Sequence, residues 1–432
     1  KAGPSINAPT SFKYRSGCEI ELPIIEAVPE LGLINPSNIR IVVVFPEPLG
    51  PTKPQIVPSG AEKEAFFTAT KSPYRLLRLL TSIAAKLIAE ASHKEPYNYA
   101  MQKRPWGYQP INERLEPDWQ LDSQTEAVRA GLARSGFGET SEALYLTSGF
   151  TYSSAEEAET AFKDEIDHYL YGRFANPTIS MFENRLATLE GAESCIATGS
   201  GMSAMFASIA CLVEKGDRVV ASASMFSSCH VVLTEFLPKW GVTTELVKGN
   251  NRADWERALS QPTKAVFIET PSNPLMDIVD IKMVSEIAHK VGATVIVDNV
   301  MASPVYQKPL ELGADVVMYS TTKHIDGQGR VLGGAVLGSA KYIAEQFQPF
   351  IRHTGPALSP FNAWVMVKSL ETMQMRVERM NSNAQAVAEF LEKNAKIKAV
   401  RYPGLKSHPQ HELAMKQMHG AGGTTIGIEF KG

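Results

Sequence analysis

Ala293-Thr-Val-Ile-Val-Asp298 and, further along, Asp315-Val-Val-Met-Tyr319 followed by Ser320-Thr-Thr-Lys323-His324 are the stretches that decide the fold. Each begins as a short apolar run and closes in polar or charged residues. Val295, Ile296 and Val297 are apolar without alternation, as a strand covered on both faces should be. The same unit recurs towards the amino terminus at Cys195–Thr198, Arg218–Ala221 and Ala265–Glu269, where Val266, Phe267 and Ile268 are again continuously apolar. Helical patterns such as Met202–Glu214 and Met283–Val291 lie between these runs. Strands alternating with helices of about 10–15 residues predict βαβ units, hence an α/β fold with a mostly parallel sheet and helices on both of its faces. Beyond Pro360 the pattern is helical through Trp364–Leu391, and strand-like pieces follow at Ile397–Arg401 and Thr424–Phe430. A large domain over 161–378 is expected, preceded by an arm over 101–160. A smaller α/β domain begins near 379 and is cut short by 432, which leaves Thr424–Phe430 without partner strands and with an exposed apolar edge.

The amino-terminal part has another texture. Residues 1–100 hold 12 of the 27 prolines, and the run from Phe45 to Pro54 lacks a backbone donor at four positions in ten. No catalytic motif is found there. The expectation is an extension that is poorly ordered or not part of the working protein, with Met101 as the start of the better-patterned sequence; an ordered accessory domain is the alternative. The apolar stretch Leu77–Ala91, interrupted by Arg78, Lys86 and Glu90, reads as an amphipathic helix. Over all 432 residues, 44% are hydrophobic and 21% charged, which excludes wholesale disorder. A formal charge of −3 gives no strong field to draw the chain to nucleic acid or anionic lipid. No apolar run is long enough to suggest a membrane span. Cys18, Cys195, Cys211 and Cys229 form neither a metal-type pair nor a disulfide framework, so a reducing, cytoplasmic setting is expected. Cys195, Cys211 and Cys229 read as small buried hydrophobes, and Met366, Met373, Met375 and Met380 as core packing. His408 and His411 read as surface residues of a turn rather than metal ligands, and no metal site is expected.

In open α/β sheets the ligand binds beyond the carboxyl ends of the strands. Gly199-Ser-Gly-Met202 follows the first of them and opens a helix, whose free N–H groups suit a phosphate. The dipole adds about 0.3–1 kcal/mol. Gly-Ser-Gly alone is equally a tight strand-to-helix turn. Asp298 ends a fully apolar strand, where an ionised carboxylate calls for a buried cation or a strong donor; alone it could simply cap the following loop. Lys323 follows Ser320 and Thr322, two hydroxyls that suit a phosphate, and a partly desolvated lysine amine reacts with an aldehyde; a lone lysine there would usually just be exposed. Taken together, one cofactor uses all three features. Pyridoxal 5′-phosphate needs a phosphate cradle, an anion for its ring nitrogen and a lysine for its aldehyde.

The stretch Tyr319-Ser-Thr-Thr-Lys-His-Ile-Asp-Gly-Gln-Gly-Arg330, with Leu332-Gly-Gly334 after it, resembles the cysteine/methionine-metabolism family of fold-type I pyridoxal-phosphate enzymes. So do Tyr171-Gly-Arg-Phe-Ala-Asn-Pro-Thr178, Glu269-Thr-Pro-Ser-Asn-Pro274 and Leu358-Ser-Pro-Phe-Asn-Ala-Trp364, and the likeness runs from about Met101 to Gly432. The resemblance implies that Lys323 binds the cofactor and shuttles protons between the substrate's Cα, Cβ and Cγ, and that Asp298 pairs with the ring nitrogen. Gly201 and Met202 would hold the phosphate through backbone N–H groups, with Ser320 and Thr322 adding hydroxyls. Asn273 would lie near the ring 3′-oxygen. Tyr171 and Arg173 would reach into the site of a second copy, Arg173 for the phosphate and Tyr171 to deprotonate the incoming amine, so a homo-oligomer, a dimer of dimers, is implied. Phe226 falls where many relatives stack a tyrosine on the ring; phenylalanine keeps the stacking but carries no acid. That loss, and the Lys323–Arg330 stretch, imply γ-replacement on a succinylated homoserine with sulfide as nucleophile. An acetylated substrate, cystathionine formation, or a truncated non-catalytic relative are the alternatives. The family's arginine for the substrate carboxylate falls beyond 432.

Overall fold

A computed structural model of the chain describes Thr10–Tyr14, Glu19–Leu22, Ile56–Pro58 and residues 121–431. The chain divides into two units, Lys1–Tyr108 and Gln109–Gly432. In the first, strands β1 (Thr10–Tyr14), β2 (Glu19–Leu22) and β3 (Ile56–Pro58) form an antiparallel sheet in the order β2-β1-β3. The proline-rich run 45–54, the stretch 77–91, Cys18 and Met101 lie outside the described residues.

The second unit is built on seven strands: β4 (Ser194–Thr198), β5 (Arg218–Ser222), β6 (Thr243–Val247), β7 (Ala265–Glu269), β8 (Thr294–Asp298), β9 (Val316–Ser320) and β10 (Gly334–Gly338). Their order is β4-β10-β9-β8-β7-β5-β6. The β9-β8-β7-β5-β6 pairings are parallel, and β10 runs antiparallel between β4 and β9. The five strands expected from apolar runs are present; β6 and β10 are additions. Strand β6 is an edge strand whose sequence Thr-Thr-Glu-Leu-Val is half polar. Strand β10, Gly-Ala-Val-Leu-Gly, carries turn residues at both ends yet is wholly buried. A Cβ on Gly334 would fall 2.2 Å from the Ser200 carbonyl oxygen, so glycine is what allows this strand to pass the turn after β4.

Helices cover both faces. The N-cap Asn176 and a proline in the first turn open α1 (Pro177–Glu190), and Gly191 closes it at φ 81°. Helix α2 (Gly201–Ala210) packs with Val219, Phe267 and Ile296 on one face. Helix α3 (Ile281–Ala288) packs with Val266, Ile268, Val295 and Val297 on the other. Nearer the β4 edge, α1 and α4 (Pro360–Leu370) pack on Val317, Tyr319 and Leu337. Neighbouring strand residues thus face opposite ways and both ways meet apolar side chains, which is why these runs do not alternate.

Several expectations need correction. The single helix over 364–391 is two, α4 and α5 (Met373–Glu392). The Thr372 N–H turns back only three residues, to the Ser369 carbonyl, so the ladder stops there. Met366 and Met373 are buried, but Met375 is 58% exposed, because the buried positions of α5 (373, 377, 384, 388) define the opposite face. His408 is 6% exposed rather than on the surface: its turn folds onto the segment at 278, where Gln410 accepts from the Ile278 N–H, and the His408 Nδ1 accepts from Gln410 N. The carboxy-terminal strand β12 (Gly427–Phe430) has a partner, β11 (Ile397–Arg401), with which it pairs antiparallel, although Ile428 and Phe430 remain exposed. Cys195 and Cys229 are buried as expected, and Cys211 is half-buried. No helix of the described residues is long and apolar enough to cross a membrane.

Candidate active site

Parallel pairing places the carboxyl ends of β7, β8 and β9 side by side, and β4 ends at the same edge because β10 reverses between it and β9. Glu269 and Asp298, the last residues of β7 and β8, face each other in register. Both are nearly buried, at 3% and 6% exposure, and neither has a cationic partner among the described residues. Burial pushes both carboxyls up, and at Glu269 the charge of Asp298 pushes in the same direction. Asp298 accepts the Val300 N–H at 3.0 Å. Glu269 accepts the backbone N–H of Asn273 at 2.7 Å and that of Phe226. Cys229 lies with the two carboxylates, the ligand atoms of all three falling within 4.8 Å of one another. Burial, reinforced by both carboxylates, pushes its thiol up, so Cys229 packs as a protonated thiol.

The next turn gathers the remaining residues of one subunit. Ser200 caps α2 by accepting from Ser203 N, while the N–H groups of Gly201 and Met202 have no acceptor among the described residues. Gly201 lies against the end of β9: a Cβ there would fall 2.4 Å from Ser320 Cβ. Lys323 N donates to the Ser320 carbonyl at 3.3 Å, closing a turn after β9, and its side chain is exposed. Thr322 Oγ1 accepts from Gly333 N and donates to Gly333 O. Thr321, between the two chosen hydroxyls, is wholly buried and its Oγ1 has no hydrogen-bond partner.

Two groupings thus form from the expected residues: Asp298, Asn273 and Phe226 around Glu269, and Gly201, Met202, Ser320, Thr322 and Lys323 at the ends of β4 and β9. Tyr171 and Arg173 stand apart. Tyr171 is 43% exposed and bridges to Gly149. The Arg173 guanidinium lies 4.7 Å from the centre of the Phe174 ring and donates to the Arg352 carbonyl. Glu269 was given no role by sequence reasoning, although the argument applied to Asp298, a carboxylate ending a fully apolar strand, applies to it equally.

A pair of buried carboxyls with nothing cationic opposite it among the described residues, free N–H donors at a helix start and a lysine, all at the carboxyl ends of strands of one sheet, suit a ring that carries a proton on nitrogen, a phosphate and an aldehyde. Residues 124–432 match the family described as Cys/Met metabolism PLP-dependent enzyme. The chain belongs to that family. It is 56% identical over 306 residues to the O-succinylhomoserine sulfhydrylase of Mycobacterium tuberculosis (strain ATCC 25618 / H37Rv), covering 71% of this chain and 75% of that protein. It is 44% identical over 328 residues to the O-succinylhomoserine sulfhydrylase of Pseudomonas aeruginosa, covering 74% and 81%. The crystal structure of cystathionine gamma synthase from Xanthomonas oryzae pv. oryzae in complex with cystathionine matches with a TM-score of 0.69 at 33% identity, over 73% of this chain and 79% of that one. This Cys/Met metabolism enzyme therefore uses pyridoxal 5′-phosphate and takes an amino-acid substrate, and its uncompensated Asp298–Glu269 pair fits the protonated ring nitrogen of that cofactor.

Proposed function

We propose that the chain catalyses γ-replacement on O-succinylhomoserine: sulfide takes the place of the γ-succinyloxy group, giving homocysteine and succinate. The reading is carried by the identity to two O-succinylhomoserine sulfhydrylases. Phe226 supports it physically, since its side chain has no proton to give to a leaving thiol. When bound, pyridoxal 5′-phosphate supplies an electron sink for negative charge next to the substrate nitrogen. Asp298, with Glu269 beside it, holds the ring nitrogen. Gly201 and Met202 bind the phosphate through their free N–H groups, and Ser320 and Thr322 add hydroxyls. Asn273 would hold the ring near its 3′-oxygen, and Phe226 would stack on it. Lys323 would hold the cofactor at its aldehyde and would serve as the base that moves protons among the substrate's Cα, Cβ and Cγ. Tyr171 and Arg173 serve the site of a second copy, Tyr171 taking a proton from the substrate amine and Arg173 binding phosphate.

The test is a thiol assay on the cofactor-loaded chain with O-succinylhomoserine or O-acetylhomoserine, and with sulfide or cysteine. Homocysteine should form fastest from O-succinylhomoserine and sulfide, and Lys323→Ala should abolish both turnover and the visible absorption band of the loaded enzyme. Turnover of cystathionine or methionine, with no reaction between O-succinylhomoserine and sulfide, would overturn the assignment. A visible band without any thiol consumption would mark a non-catalytic relative.

A further inference from the structure

His324 follows Lys323 directly and joins pieces of chain that are distant in sequence. Its Nδ1 lies 2.8 Å from the Val300 carbonyl oxygen and its Nε2 lies 2.6 Å from Thr424 Oγ1. A carbonyl oxygen cannot donate, so Nδ1 carries a proton. Burial lowers the imidazole's pKa, outweighing the bond to the Val300 carbonyl, which raises it, and the Arg376 guanidinium adds to the lowering, which favours the neutral ring. Nε2 therefore holds a lone pair, and the Thr424 hydroxyl must be the donor. These two neighbours select one tautomer.

These contacts meet at the Val300 backbone. Thr424 donates to His324, His324 donates to Val300, and the Val300 N–H donates to the Asp298 carboxylate at 3.0 Å. The Val300 carbonyl and the Val300 N–H belong to different peptide groups, so the link to the anion is one of position, through the Val300 backbone. The same loop is held from α5, where Arg376 Nη1 donates to the His324 carbonyl at 2.9 Å and Nη2 to that of Ile325. Gly327, at φ 71°, leaves room for that guanidinium, since a Cβ there would fall 1.7 Å from Arg376 Nη1. A histidine that only filled space would need neither acceptor nor donor. This one links the amine-bearing loop, the turn after the anion and the segment that leads into β12.

We propose that His324 is a positioning residue that carries the placement of the Thr424 segment to Lys323 and Asp298, so that amine and anion are set together with the carboxy-terminal part of the chain. The proposal rests on the assignment of Lys323 and Asp298 to the cofactor.

The test uses the cofactor-loaded full chain and four variants: His324→Asn, which keeps an N–H towards Val300 but loses the acceptor for Thr424; Thr424→Val; the two combined; and Thr424→Ser. In His324→Asn and Thr424→Val the pH midpoint of the visible band should move by about half a unit or more, in the same direction. Their kcat should fall about tenfold with KM within about twofold. The combined variant should be no worse than the weaker single one, because both remove the same link, and Thr424→Ser should behave as the parent chain. An unmoved band midpoint in the single variants, or effects that multiply in the combined one, would overturn the proposal. Should His324→Asn fail to fold, the Thr424→Val and Thr424→Ser pair decides alone. The band needs no turnover, so the outcome does not depend on which homoserine ester is the substrate. A band that survives in Lys323→Ala would refute the lysine assignment instead.

Discussion

Asp298 and Glu269 are placed where binding needs charge and folding does not. In water such carboxyls ionise near pH 4. Here burial raises both, and they repel each other once ionised. Between the unfolded and the raised folded values the folded chain holds more protons than the unfolded one, so stability must fall as pH rises through that window. Glu190, also buried and raised to about 8, contributes with the same sign. The cofactor-free chain should therefore melt at a lower temperature at pH 8.5 than at pH 6, and loading with pyridoxal 5′-phosphate should flatten the dependence by giving Asp298 a cation. Asp298→Asn separates the two demands. It should abolish turnover, yet stabilise the cofactor-free chain at pH 8 by about 1–2 kcal/mol, the order of one pKa unit. Calorimetry at the two pH values checks both signs, and an Asp298→Asn chain that is less stable at pH 8 than the parent would contradict the argument.

One ion cluster ties the segment before Gly149 to two helices. Glu142 Oε1 lies 2.6 Å from Nη2 of Arg185 on α1, and Oε2 lies 2.5 Å from Nζ of Lys368 on α4. Arg185 is fully buried. Burial alone would raise Glu142, but the bonds from Lys368 and Arg185 outweigh it and bring the carboxyl down to about 2. Glu142→Gln removes the closer counter-charge of a buried guanidinium, leaving only Glu371 at 4.0 Å, and should cost about 3 kcal/mol, read as a lowered denaturation midpoint at pH 7. With a lowered folded value the contribution is present above the usual carboxylate pKa and is lost as pH falls towards 2, so parent and variant should converge in acid. A variant as stable as the parent at pH 7 would show the cluster to be neutral. The sequence carried no sign of this cluster, because Glu142, Arg185 and the Lys368–Glu371 pair are distant along the chain and none sits in a motif. The strands that the sequence did show, β4, β5, β7, β8 and β9, are those whose apolar runs are continuous because both faces are covered. Strand β10 was invisible because a Cβ on Gly334 would fall 2.2 Å from the Ser200 carbonyl oxygen, a tertiary demand that puts glycine in the strand. The site was legible where strand ends carry unusual residues, at Asp298 and Lys323. The polar chain behind it was not. There Gln417 donates to Gln307, Gln307 to Asn299, Asn299 to Tyr319 and Tyr319 to Glu190, and every member is buried, so only packing brings them together.

At the scale of the whole molecule, the question is whether one chain can complete its own site. Arg173 donates to the Arg352 carbonyl and lies against Phe174, and its described hydrogen bonds do not reach the groups gathered around Lys323. Tyr171 is left 43% exposed. If both serve a second copy related by two-fold symmetry, each site takes Lys323 from one chain and Arg173 from the other. Two inactive variants then become informative. Lys323→Ala and Arg173→Ala should each be inactive alone. In a mixed dimer one site combines both lesions, but the other combines an intact Lys323 with an intact Arg173. Unfolding and refolding the two variants together at equal amounts gives mixed dimers as half of the population, each with one whole site, so about a quarter of the parent activity should return. If each chain used its own Arg173, every site in the mixture would carry one lesion and no activity would return. Mixing without refolding controls for the rate of subunit exchange, and the recovered fraction, measured as homocysteine formed from O-succinylhomoserine and sulfide, decides between the two arrangements.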